Sequence, residues 1–140
     1  MSQQFTVFVN FNGNCREAVD FYAKVFNARP GKVMTYSDMP ADPDFSVPEA
    51  FADKILYIDL VIAGTNIMFS DAPWHVQHNP GDNVILTVSS GDEAEVRRWY
   101  AELSEGAQVL MPLGETFFSK LYGMLTDKYG ICWNIFLGLE

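Results

Sequence analysis

The chain has 140 residues, 49% hydrophobic and 19% charged, a size and balance that fit one folded domain with its own core and exclude a disordered segment. Its formal net charge of -9 repels nucleic-acid phosphates, and no Lys/Arg cluster offers a local exception, so no nucleic-acid partner is expected. The longest apolar runs, such as Ile55 to Ala63, are too short to span a bilayer, and the start Met-Ser-Gln-Gln-Phe lacks the basic and apolar regions of a signal peptide; no membrane partner is expected, and a cytoplasmic location is the default.

The first predicted element is a strand over Phe5 to Phe11. Asn14 then stands ready to cap a helix, with Glu17 in the capping-box position. Ala18, Phe21, Tyr22, Val25 and Phe26 recur at helical spacing, which predicts a helix over Asn14 to Phe26 with one apolar stripe. A second strand follows from Lys32 to Tyr36. The segment from Asp38 to Asp53 holds Pro40, Pro43 and Pro48, with Phe45, Val47 and Phe51 among them. It is an inserted loop, either a lid that packs through its apolar side chains or a flexible excursion. A hairpin closes this half: Ile55 to Ile62, a turn at Ala63-Gly64-Thr65-Asn66, and a return through Ile67 to Ser70.

His75 and His78 come next, framed by Pro73 and Pro80. They read as solvent-exposed histidines of a connecting loop rather than as a metal pair. A strand over Val84 to Val88 leads into a second helix, Asp92 to Leu103, with Asp92 as cap, Glu95 in the box position, and Val96, Trp99, Tyr100 and Leu103 as its stripe. The remaining elements are a strand over Ala107 to Met111 and a hairpin. That hairpin runs Lys120 to Thr126, turns at Asp127-Lys128-Tyr129-Gly130, and returns through Ile131 to Leu137.

The second half repeats the first. Gly13 and Gly91, Glu17 and Glu95, Tyr22 and Tyr100, and Ala23 and Ala101 are identical pairs at one constant offset, and Phe21 and Trp99 are both large aromatics. Each half therefore reads β-α-β-β-β, an α+β fold of two paired modules, residues 5–72 and 83–138, in a single domain with the inserted loop at 38–53. One helix covers only one face of its sheet. The second faces either bury against each other or curl around a cavity, so a small-molecule pocket between the paired modules is expected.

Several stretches resemble PhnB-like proteins: Phe-Asn-Gly-Asn-Cys-Arg-Glu-Ala-Val-Asp-Phe-Tyr at 11–22, Ile-Met-Phe-Ser-Asp at 67–71, Glu-Thr-Phe-Phe at 115–118 and Thr-Asp-Lys-Tyr-Gly-Ile-Cys-Trp at 126–133. These lie in the vicinal oxygen chelate superfamily, with glyoxalase I, bleomycin-resistance proteins and extradiol dioxygenases. The resemblance implies paired βαβββ modules, a homodimer, and, in the superfamily's enzymes, a divalent metal held by His, Gln or Glu on each module's first and last strands. Carried over, those positions fall on Phe5 or Val7, Ser70 or Met68, Asn83 or Ile85, and Asn134. None is His, Asp or Glu, so no metal is expected.

Polar groups within apolar segments mark a candidate ligand site. Ser70 and Asn134 occupy matching positions in the two modules. Asn83 or Thr87 faces them, and Glu115 and Tyr122 flank the approach to the final hairpin. The plainer reading of each is a satisfied or solvated side chain. Glu115 is the acid/base candidate, because Pro112, Phe117 and Phe118 are placed to desolvate its carboxyl. Trp133, Phe69, Phe21 and Trp99 read as core. Cys15 and Cys132 sit in apolar patterns without a CxxC spacing and read as buried thiols. Relatives are sometimes described as ubiquinone-pathway methyltransferases, yet Asn12-Gly13-Asn14 has one glycine where a nucleotide-type cofactor wants a glycine-rich turn. No cofactor is expected, and no nucleophile–base pair appears. The leading expectation is a metal-free protein that binds an unknown small organic molecule. The alternative is a degenerate-site enzyme of the superfamily, of lyase, isomerase or dioxygenase type, using Glu115 or Tyr122. A third reading is a domain active mainly through its dimer surface.

Overall fold

A computed structural model describes residues 2–138, and the chain divides after Asn79 into two compact units. In the first unit the elements are β1 (Phe8–Phe11), α1 (Cys15–Val25), β2 (Met34–Thr35), two short 3-10 turns (Tyr36–Asp38 and Glu49–Phe51), β3 (Ile55–Ile62) and β4 (Thr65–Asp71). The strands order as β1-β4-β3-β2. β1 runs parallel to β4, and the other pairs are antiparallel. This is the expected βαβββ module.

α1 forms because Cys15, Ala18, Val19, Tyr22 and Val25 repeat at helical spacing, and all five are buried. Tyr22 packs against Phe69 of β4 with ring centroids 6.0 Å apart, and Phe69 lies 6.3 Å from Phe11 of β1. Burying side chains of this size contributes about 1.5–3 kcal/mol each. Phe21, expected in the core, is only half-buried.

Two predicted strands of the first unit shorten. Phe5 is 94% exposed and lies outside β1, although the Val7 carbonyl still accepts from the Met68 N–H at 3.0 Å. The strand predicted over Lys32 to Tyr36 keeps only Met34 and Thr35, because its register on β3 shifts there and Tyr36 turns into a 3-10 turn. The β3–β4 hairpin is tighter than the four-residue turn expected. Ile62 pairs with Thr65, leaving Ala63 (φ 47°) and Gly64 (φ 85°) as its two turn residues. Positive φ at both positions is the type I′ turn whose twist suits a hairpin.

The inserted segment is folded back onto an aromatic cluster. Phe45 and Phe51 stand 5.3 and 5.7 Å from the Trp74 ring, Tyr36 stands 5.6 Å from it, and Phe45 meets His75 edge-on at 5.4 Å. His75 is exposed, as expected; His78 is half-buried, its Nε2 3.2 Å from the Asn10 carbonyl oxygen.

The second unit holds β5 (Leu86–Ser90), α2 (Glu93–Leu103), β6 (Gln108–Gly114), β7 (Tyr122–Thr126) and β8 (Cys132–Leu137). Its order, β5-β8-β7-β6, repeats that of the first unit, again with one parallel pair, β5 with β8. Asp92 caps α2 as predicted, its carboxylate accepting the Ala94 N–H at 3.0 Å. Val96, Trp99 and Leu103 form the buried stripe. On the exposed face Arg97–Glu93 and Arg98–Glu102 pair one turn apart. Gly123 of β7 lies under α2: a Cβ there would sit 2.6 Å from the Tyr100 ring, so only glycine lets that ring rest on the strand.

Candidate functional site

Successive side chains of a strand point to opposite faces, so the buried side of each sheet identifies its other side. In the first unit, Phe69 and Ile67 of β4, Phe11 of β1 and Leu60 and Ile62 of β3 are buried on the side of α1. The helix-free face therefore carries Phe8 and Asn10 from β1, Met68 and Ser70 from β4, and Asp59 from β3, which are register partners: Phe8 with Met68, Asn10 with Ser70, Asp59 with Met68. In the second unit Val88, Leu125, Trp133 and Ile135 are buried on the side of α2. Thr87, Met124, Tyr122, Asn134 and Phe136 take the helix-free face, with Asn134 in register between Thr87 and Met124.

Three predicted site residues meet on this second face. The Tyr122 hydroxyl donates to Asn134 Oδ1 at 2.6 Å, and Asn134 Nδ2 donates to Thr87 Oγ1 at 3.4 Å. Thr87 is exposed, and Tyr122 and Asn134 are half-buried. Around them are Phe118, whose ring meets Tyr122 edge-on at 5.0 Å, and Phe136, 6.5 Å from Tyr122. A line of hydroxyl, amide and hydroxyl thus runs across this face beside Met124, Phe118 and Phe136.

Ser70 sits in the equivalent place in the first unit. It is 4% exposed, and its hydroxyl donates to Asn10 Oδ1 at 2.5 Å. Asn10 was missed by the sequence reading, which placed Phe5 or Val7 on this face. The parity was wrong, because Phe11 is buried under α1 and period-two alternation from it puts Asn10, not Val7, opposite Ser70. In both modules, then, the closing strand's polar residue bonds to a polar residue on the first strand.

Two other candidates stand apart. Asn83 is exposed in the segment before β5 begins. Glu115 is exposed just beyond β6, and Phe117 and Phe118 are exposed as well, Phe117 completely. The apolar cover expected around the Glu115 carboxyl is not formed, because these side chains turn outward: Phe118 packs on Phe117 and Tyr122.

Two carboxylates that the sequence reading did not single out are buried. Asp71 Oδ1 accepts the N–H groups of Gly13 and Cys15, both at 2.9 Å, and Oδ2 accepts that of Ile55 at 2.9 Å. Asp71 therefore caps α1, and the expected cap, Asn14, makes no side-chain capping bond. Asp127 does the corresponding work in the second hairpin: Oδ1 accepts from the Tyr129 and Ile131 N–H groups at 2.8 and 3.1 Å, and Oδ2 from Trp133 Nε1 at 2.8 Å. Burial, reinforced by the Asp71 carboxylate, pushes the Cys15 thiol far up, so it is not a thiolate near neutral pH. The same two causes raise the Tyr36 hydroxyl, which donates to the Asp71 carbonyl at 2.7 Å.

A concavity of about 380 Å³ opens beside the N-terminal turn of α1, lined by Asn14, Arg16, Glu17, Asp53 and Lys54. It contains none of the predicted site residues, and its polar groups serve the fold: Lys54 Nζ donates to the Gly13 carbonyl at 3.2 Å and Arg16 to that of Asp53 at 3.4 Å. The helix-free faces hold the convergent polar side chains and are the better candidate site.

These faces and their paired sheets are the βαβββ modules of the glyoxalase/bleomycin resistance/dioxygenase fold, that of the vicinal oxygen chelate superfamily. A glyoxylase/bleomycin resistance protein/dioxygenase domain from Frankia sp. EAN1pec shares the fold at a TM-score of 0.66 and 13% identity, over 99% of both chains. The chain is PhnB-like, and it belongs to the family described as 3-demethylubiquinone-9 3-methyltransferase, whose profile matches residues 3–136. It is 29% identical to protein YjdN of Escherichia coli (strain K12) over 135 residues, 91% of this chain and 90% of that one. Protein PA1353 from Pseudomonas aeruginosa has a similar structure, with a TM-score of 0.87 at 29% identity over 99% of this chain and all of the other. A PhnB protein from Bacillus cereus reaches 0.79 at 28% identity, over 97% and 100%.

Neither group implied by these likenesses fits the residues present. Where the resemblance implied metal ligands at Phe5 or Val7 and at Asn83 or Ile85, opposite Ser70 and Asn134, the register instead pairs Asn10 with Ser70 and Thr87 with Asn134, and amides and hydroxyls are poor ligands for zinc, nickel or iron. Among the described residues no group of three or more His, Cys, Asp or Glu is placed to hold a metal ion. For a nucleotide-type methyl donor, the β1–α1 turn supplies one glycine, and the N–H groups of Gly13 and Cys15 are already taken by Asp71. Among the described residues no helix is long and apolar enough to cross a membrane.

Proposed function

We propose that this PhnB-like protein binds a small organic molecule on the helix-free faces of its modules, without a metal. The observation that carries the reading is the Tyr122–Asn134–Thr87 line. Its groups lie on a sheet face among Met124, Phe118 and Phe136, where a few oriented polar atoms on an apolar floor give a ligand both affinity and orientation. The Ser70–Asn10 pair repeats the arrangement in the other module. Homodimerisation belongs to the same reading and rests on the family resemblance; light scattering over a range of concentrations tests it.

A thermal-shift screen of a broad small-molecule library tests binding. A ligand at a hundred times its dissociation constant adds about 2.7 kcal/mol to stability. Tyr122→Phe, Asn134→Ala and Ser70→Ala should each diminish the shift. Hits that persist unchanged in all three variants, or a library with no hit, would sink the reading.

A further inference from the structure

The distribution of charge narrows the ligand's chemistry. All nine Lys and Arg residues lie outside the eight strands. Six are engaged elsewhere: Arg97 and Arg98 pair with glutamates along α2, Lys120 with Glu93, Lys128 with Glu105, Lys54 with the Gly13 carbonyl, and Arg16 with the Asp53 carbonyl. Lys24 is on α1. Arg29 and Lys32 flank the segment that bridges to β3 at Leu60, on the side of the sheet away from β1. The charged strand residues are Asp59 and Asp71, both acidic, and Asp71 is buried with its bonds filled.

Along the Asn10–Ser70 and Thr87–Asn134–Tyr122 lines an anion would thus meet amides and hydroxyls, with the His78 imidazole beside Asn10, in a protein of net charge -9. Recognition of phosphate or carboxylate normally calls on the guanidinium or ammonium donors missing here. What the faces do offer is neutral hydrogen bonding. Asn134 Nδ2 has a second hydrogen beyond the one given to Thr87, and the Asn10 carbonyl group accepts from Ser70 while its NH₂ remains for an acceptor. Phe8, Met68, Met124 and Phe136 supply apolar surface alongside.

Resting on the binding reading above, we propose that the ligand is an uncharged organic molecule with an apolar body and oxygen acceptors, and that the site rejects phosphates, phosphonates and carboxylates. The test uses matched probes that share one aryl or alkyl body and differ in the head group: primary amide, methyl ketone, carboxylate and phosphonate. Ligand-observed NMR at pH 8 reads their binding to the whole chain. The amides and ketones should bind at least about tenfold more tightly than their anionic partners. Asn134→Ala and the milder Tyr122→Phe should weaken them in the same measure. Anions that bind as well as the neutral probes, and lose binding in these variants, would overturn the charge assignment while leaving the site in place. Probes of every class that bind equally to wild type and variants, or fail to bind at all, would overturn the site itself and this proposal with it.

Discussion

Asp71, at the end of β4, accepts the backbone N–H of Cys15 at 2.9 Å, so helix α1 is capped by a residue 56 positions further along the chain. The same carboxylate holds Gly13 and Ile55. One buried side chain thereby ties the first strand–helix turn, the start of β3 and the end of β4 into one unit. Asp71→Asn puts an amide N–H against one of three N–H donors and removes the charge, and it should cost about 2–4 kcal/mol. Asn14→Ala, at the residue where a local cap was expected, should change stability by less than about 0.5 kcal/mol. Urea unfolding of both variants checks the contrast; equal losses would mean that Asn14 does cap the helix in solution.

The β3–β4 turn contains a removable strain. Ala63 sits at φ 47° in a two-residue type I′ turn, a conformation that asparagine tolerates better than alanine. Ala63→Asn should stabilise the protein by about 0.5–1 kcal/mol. A lower melting temperature in calorimetry would contradict this account of the hairpin.

Gly123 is constrained by packing instead. A methyl group there meets the Tyr100 ring at 2.6 Å and the Leu113 backbone at 3.3 Å. Gly123→Ala should therefore cost about 1–3 kcal/mol through overpacking. Combining it with Tyr100→Leu should recover part of the loss, since neighbouring sites couple. A double-mutant cycle with no coupling would show that the ring does not rest on the strand.

Alkaline pH should weaken the first module. Burial and Asp71 raise both the Cys15 thiol and the Tyr36 hydroxyl, so in the folded chain each keeps its proton where the unfolded chain would release it. The stability that this contributes is complete below the unfolded thiol value of about 8.5. It is lost progressively as pH rises from there, because the unfolded state then binds fewer protons. Melting temperature should fall between pH 8.5 and 10.5, and Cys15→Ala should flatten that fall despite a small cavity cost at neutral pH. An unchanged slope in the variant would exclude Cys15 as its source.

The parts of the site differ in how legible they were. Thr87, Tyr122 and Asn134 stood out as polar residues in apolar segments, but Thr87 only as an alternative to Asn83, and Tyr122 only as a flank of the final hairpin. Asn10 stood out in the same way within Phe-Val-Asn-Phe, yet the wrong parity hid it, because nothing local says which of two alternating sets a helix will cover. Glu115 looked shielded by aromatic neighbours in the sequence, but those neighbours are free to turn outward from a surface loop. The inserted segment 38–53 advertised three apolar side chains without saying what they pack on; Trp74 is the ring that Phe45 and Phe51 meet.

The amino-acid sequence by itself determined the repeated βαβββ module and both helices with most of their buried stripes. Those properties follow from periodicity and residue type, which act over a few residues. Tertiary structure decided which strand face α1 covers, that Asp71 rather than Asn14 caps it, and that Ser70 meets Asn10 while Asn134 joins Tyr122 to Thr87. Each of these depends on register between segments distant in sequence, where a shift of one residue exchanges the buried and exposed sets of side chains.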